Sequence, residues 1–232
     1  GPIVCYGWND PAYDDKFDPD FRNLGLFTRI GSAPQNAKID NTLILPQQNW
    51  LDALPLQLRT GLKHYQDSGT AVSSTGEITL DRKENRITVI TPRSELFTFT
   101  GGNAGGEFVS IEKSGGFATI SAHSLDNLPL KESRDILLFH LTNALNSGTV
   151  FQNEEMRLTL DNGSLPVLVR NGRAEITLNV NPNAGKWEVQ AAALDGSILK
   201  TVPAKMENGK LKFNISIFNP EGVCMIYRIV AK

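Results

Sequence analysis

Ser121, His123 and Asp126, three residue types that cooperate in nucleophilic hydrolysis, sit together in "ISAHSLD". A hydroxyl, an imidazole and a carboxylate act together only when they meet in space in that order. Ser121 and His123 are two residues apart in an alternating run, so they share one strand face and read as a polar surface. Glu77 and Asp81 are candidates for an acid–base pair, but four residues of strand hold them about 13 Å apart. Two carboxyls working across one bond lie roughly 5 to 9 Å apart. Asp14, Asp15, Asp18 and Asp20 offer the oxygens that calcium takes. They lack the spacing and glycine turn of a helix-loop-helix calcium loop, which leaves a solvated acidic loop. His64, His123 and His140 are far apart and have no second ligand at metal spacing, so neither a zinc site nor a cofactor is expected. "GGNAGG" lacks the Lys-Ser/Thr and the helix of a phosphate loop. No catalytic residue is assigned.

Trp8, Trp50 and Trp187 are the candidates for carbohydrate binding, because sugar rings stack on exposed aromatic faces. Trp187 opens the strand "KWEVQAAALDG", where Val189 and Ala191 share its face. Small apolar neighbours mark an inward face, so Trp187 is expected in the core.

The elements that must position these residues are almost all strands. "EITLD" and "RITVIT" alternate around the turn Arg82-Lys83-Glu84-Asn85, with Ile78, Leu80, Ile87 and Val89 expected inward and Glu77, Thr79 and Asp81 outward. "LFTFTG", "EFVSIEKS" and "GFATISAHSL" follow, separated by glycine pairs that permit sharp reversals. "RDILLFHLTNAL" fits a helix or a doubly buried strand equally, since its apolar residues are contiguous. After residue 150, short strands alternate with Asn162-Gly163, Asn171-Gly172, Asp195-Gly196 and Asn208-Gly209, the strongest short hairpin signals. "LQLRTGLKHY" reads as a strand after Pro55, with a short helix around 48–54 as the alternative.

The bulk numbers narrow the class. The chain has 232 residues, 40% hydrophobic and 21% charged, enough to bury a core without staples. Net charge is −2 and the basic residues are scattered singly, so no nucleic acid is expected as partner. No apolar run is long enough to span a membrane. Cys5 and Cys224 read as two free buried thiols. Gly1-Pro2 directly precedes a strand and reads as a cleavage scar or as the edge of an excised domain. Asn162-Gly163-Ser164 and Asn214-Ile215-Ser216 match the glycosylation sequon, a short pattern with little weight alone.

"SSTGEITLDRKENRITVITPRSEL" resembles a motif in the C-terminal β-region of certain bacterial glycoside hydrolases. These are clan A enzymes related to the cellulase-like and β-galactosidase-like barrels. "ISAHSLDNLPLKESRDILLFHLTNALNSGTVF", "GSLPVLVRNGRAEITL", "VQAAALDGSILKTVP" and "IYRIV" continue the likeness in the same order, over residues 70–232. The chain departs from the pattern at Ser74, Leu80 and Asn127, where the family carries Asp, Trp and Gly. "PIVCYGWNDP" is similar to a late barrel strand of these enzymes, with Gly7 where the nucleophilic Glu would stand and Asp10 in place of His. Glycine supplies no carboxyl, and the residues ahead of the hairpin are too few for a barrel of about 250 residues.

The fold expected is all-β: two packed antiparallel β-sandwich units, immunoglobulin-like, with an irregular N-terminal extension. The extension covers 1–55 and is a possible barrel remnant; the units cover 56–150 and 151–232, with a seam near 148–156. The resemblance implies a non-catalytic C-terminal domain that braces or covers the catalytic barrel of a glycoside hydrolase, secreted or periplasmic. The alternatives are a stand-alone carbohydrate-binding module that takes polysaccharide and, third, a hydrolase with an unrecognised site. Exposed coplanar aromatics would favour the module; a large apolar patch would favour the brace.

Overall fold

The computed structural model describes residues 3–9, 19–154, 156 and 158–232. Strands dominate it and helices are few, so the class is all-β. The chain divides into two compact units, 1–87 and 88–232. Among the described residues, no helix is long and apolar enough to cross a membrane.

The first unit is more ordered than the irregular extension expected. Its strands are β1 (Ile3–Trp8), β2 (Ile30–Pro34) and β3 (Thr42–Leu45), with helices α1 (Pro19–Asn23), α2 (Trp50–Ala53) and α3 (Leu56–Ser68), then strands β4 (Thr70–Val72) and β5 (Ile78–Asp81). β1 lies between β2 and β3, parallel to both. Val4, Cys5, Tyr6 and Gly7 are all buried, as expected of a central parallel strand covered on both faces. Tyr6, Phe21 and Trp50 stack edge to face at 5.2 Å between successive centroids, within a core that also takes Leu24, Leu45 and Leu62.

α3 replaces the strand expected over 56–65. Leu58, Leu62 and Tyr65 recur at helical spacing and pack inward, whereas Leu56 is 76% exposed. Pro55 ends the preceding segment but also starts a helix well, because a first-turn residue has no N–H partner to lose. Its carbonyl accepts the N–H groups of Leu58 and Arg59 at 3.0 Å each. Gly69, at φ 78, closes the helix with its N–H on Tyr65 O at 2.8 Å.

The remaining strands are β6 (Arg86–Thr91), β7 (Ser94–Gly105), β8 (Val109–Ser124), β9 (Asp135–Leu141), β10 (Ala144–Ser147), β11 (Val150–Phe151), β12 (Thr159–Asp161), β13 (Ser164–Val169), β14 (Arg173–Leu178), β15 (Trp187–Ala192), β16 (Ile198–Val202), β17 (Ala204–Glu207), β18 (Lys210–Ser216), β19 (Phe218–Asn219), β20 (Gly222–Val223) and β21 (Ile226–Ala231). β8 organises the second unit. Its first half pairs with β14, which carries β18 and β17. Its second half pairs with β9, followed by β21, β15 and β16. One core draws Ile176, Phe213, Leu138, Val189 and Tyr227 from these two arms. The segments on either side of the expected seam near 148–156 are therefore woven together through β8–β14 and β9–β21 rather than split into two units. "RDILLFHLTNAL" resolves as strand β9, with Ile136, Leu138 and His140 buried.

The hairpin turn is built by Asp81, whose Oδ1 accepts the N–H groups of Lys83 at 3.0 Å and Glu84 at 3.1 Å, with Asn85 at φ 47. The expected inward face does not hold. Ile78 and Ile87 are 47% and 41% exposed, while Leu80 and Val89 are half-buried. Alternation marks two faces but does not require that either be fully covered.

Candidate functional site

Gly7 is the position at which the resemblance would place a nucleophile. Parallel pairing seats it opposite Ala33 of β2, near the end of β3. A Cβ there would collide with the carbonyl oxygen of Leu45 and the side chain of Gln35. The site has no space for any side chain, so Gly7 is a packing requirement of this strand. Asp10, Asp14, Asp15 and Asp18 lie outside the described residues.

Ser121 and His123 do meet, but not as a triad. His123 Nε2 lies 2.9 Å from Ser121 Oγ, and its Nδ1 lies 3.0 Å from Ser94 Oγ. Both ring nitrogens are thus occupied by hydroxyls, and Phe139 packs edge-on at 5.7 Å. Burial pushes the His123 pKa down. Asp126 turns away and holds the β8–β9 connection, accepting Arg134 N–H at 2.8 Å and the Ser124 hydroxyl at 2.9 Å. Partial desolvation alone would raise its pKa; hydrogen bonds from Arg134, Ser133, Ser124 and Leu128 instead hold it at about 2. Ser121 is 3% exposed and is not part of a polar surface, because its cross-strand partners Leu96 and Phe139 flank it.

His64 is exposed on α3, and His140 is buried on β9. Among the described residues no three His, Cys, Asp or Glu side chains gather as metal ligands. Cys5 and Cys224 are free and buried, and burial raises the Cys5 thiol pKa. Glu77 is exposed, and Asp81 is engaged in its turn.

Of the three tryptophans, Trp50 is 4% exposed and Trp187 8%, so neither offers a ring face to a sugar. Trp187 Nε1 donates to Asn181 O at 3.0 Å, giving its buried N–H a partner. Trp8 is half-buried at the end of β1.

A run of exposed apolar residues lies elsewhere, on a ribbon not singled out in the sequence. β10 pairs with β13 and β11 with β12, each as a two-stranded antiparallel ladder. Leu165 is 81% exposed, Leu160 63% and Leu168 57%; Leu158, Val167 and Val150 are about half exposed. Successive residues of β13 are exposed, so both faces of the ribbon are bare. The ribbon is nonetheless well formed, with Arg170 N–H on Asn143 O at 2.8 Å and Gln152 N–H on Leu158 O at 2.9 Å. The available signal was "LTLDNGSLPVLV", whose apolar residues fill both phases of the alternation.

A scan of protein-family models and a comparison with curated proteins both give no match to this chain.

Proposed function

We propose that the chain is a non-catalytic C-terminal β-domain of a glycoside hydrolase, which braces the enzyme's catalytic barrel through the ribbon of β10 to β13. Secretion or a periplasmic location follows from the same resemblance. The bare apolar ribbon carries the reading. A two-stranded ribbon is marginal in water by itself, and an exposed run of leucines on both its faces calls for a partner surface. The parallel sheet of β1 to β3 adds support, because strands of that kind occur in α/β bodies with both faces covered. The blocked position at Gly7 agrees with a chain that does no hydrolysis itself.

The test uses the gene product that carries this chain. The reading expects a barrel encoded in the same reading frame. It also expects slow amide exchange across Ala144–Val169 in the whole protein and fast exchange in the isolated chain. A reading frame without a barrel, or ribbon amides that exchange equally in both, overturns it.

A further inference from the structure

A cleft of about 450 Å³ opens beside β14 and β18. Lys113, Arg173, Glu175, Lys200 and Asn214 line it, with Val202 and Pro203 as an apolar wall. The charges are unevenly matched. Lys113 holds Glu175 at 2.7 Å and Lys200 holds Glu221 at 2.8 Å. Arg173 has no partner among the described residues, and neither does the Asn214 side-chain amide.

Much of the floor's polar surface is already engaged within the protein. The Tyr227 hydroxyl donates to Ser216 O at 2.8 Å and accepts Ser216 N–H at 2.9 Å. Asn219 Nδ2 also donates to Ser216 O at 2.8 Å. The two open groups are placed by sheet register. Arg173 pairs with Ser216, and Glu175 with Asn214, so Arg173 and Asn214 are diagonal neighbours on one face. Their Cα atoms are about 7–8 Å apart by that geometry.

A free guanidinium takes a carboxylate through two parallel N–H bonds. A free amide beside it offers both a donor and an acceptor, as a hydroxyl requires. We infer that this cleft binds an acidic sugar, with Arg173 on the carboxylate of a uronic acid unit and Asn214 on its ring hydroxyls. Recognition is by charge and hydrogen bonding, and needs none of the three tryptophans. The sugar identity rests on the carbohydrate-active reading above; the carboxylate preference stands on Arg173.

The test is calorimetric titration of the full chain at low salt with tetragalacturonate, cellotetraose and an oligothymidylate. Saturable binding of tetragalacturonate alone is expected. Arg173→Gln should weaken it at least about tenfold, equivalent to about 1.4 kcal/mol, and Asn214→Ala several-fold. Both residues are exposed and unpaired, so both variants should melt with the parent. No saturable binding, full binding by Arg173→Gln, or equal binding of cellotetraose overturns the inference. Equal binding of the oligothymidylate also overturns it, by marking an unselective cationic patch. Serine substitutions at Leu158, Leu160 and Leu165 lie outside the cleft and should leave binding unchanged, so failure of the bracing role is seen separately.

Discussion

Glu95 reaches from β7 to accept the backbone N–H of Val109 on its Oε2 at 2.8 Å, from a position only 3% exposed. Its Oε1 accepts the N–H groups of Glu107 and Phe108 at 2.9 Å each. One carboxylate thus satisfies three donors where the glycine-rich loop enters β8. Gly106 belongs to the same arrangement, since a Cβ there would lie 2.7 Å from Glu95 Oε2. Glu95→Ala would leave three N–H groups without an acceptor. A loss of about 3 to 5 kcal/mol is expected in urea unfolding, the range for breaking a buried charged network. A loss under 1 kcal/mol would mean that water replaces the carboxylate without cost.

Gly7 tests whether the strand can accommodate a carboxyl. Its missing side chain is matched by Leu45 O and Gln35, whose Oε1 is buried without a hydrogen-bond partner among the described residues. Gly7→Ala should cost about 1 to 3 kcal/mol through overpacking. Gly7→Glu should be worse and should cleave no aryl-glycoside. Turnover in Gly7→Glu that disappears in Gly7→Gln would refute the packing account.

His140 should make the fold sensitive to mild acid. It is 1% exposed, both ring nitrogens lack partners among the described residues, and Gly172 lies close to its Nε2. Burial lowers its pKa from 6.5 to about 4. The folded state therefore favours the neutral ring. Its contribution is fully present above pH 6.5 and is lost as pH falls towards 4, by roughly 3 kcal/mol in all. Unfolding midpoints measured from pH 7.5 to 4.5 should fall in the parent and fall less in His140→Leu. Parallel curves would place the sensitivity elsewhere.

The strands that were legible in the sequence are those whose alternation has one wet face. β14 and β18 bury every second residue and β15 and β21 do so over most of their length, and Asn208-Gly209 turns with both residues at positive φ. α3 departs from the strand expected because Leu56 and Leu58 mimic period two, while the pattern that matters is Leu58, Leu62 and Tyr65. The weave through β8 could not be read, because a strand's own sequence does not name its partners and β8 changes them midway. Nothing in the sequence marks Glu95, since its three donors lie twelve to fourteen residues away. The ribbon was hidden for the opposite reason: "SLPVLV" looks like a core strand, and only the fold leaves it bare.

Trp187 separates packing from sugar stacking in a single side chain. Its face is shared by Val189 and Ala191, both 0% exposed, and its indole N–H is held by Asn181. Trp187→Ala should cost roughly 3 to 5 kcal/mol, the range for removing a large buried aromatic. Trp187→Phe keeps most of the ring and loses only the hydrogen bond, so it should cost about 1 to 2 kcal/mol. Thermal melting of both variants, run beside retardation in gels cast with neutral polysaccharide, reads the two roles together. The expected pattern is a graded fall in melting temperature with no specific change in mobility. A variant that melts with the parent but loses gel retardation would make Trp187 a stacking platform and remove it from the core's energetics.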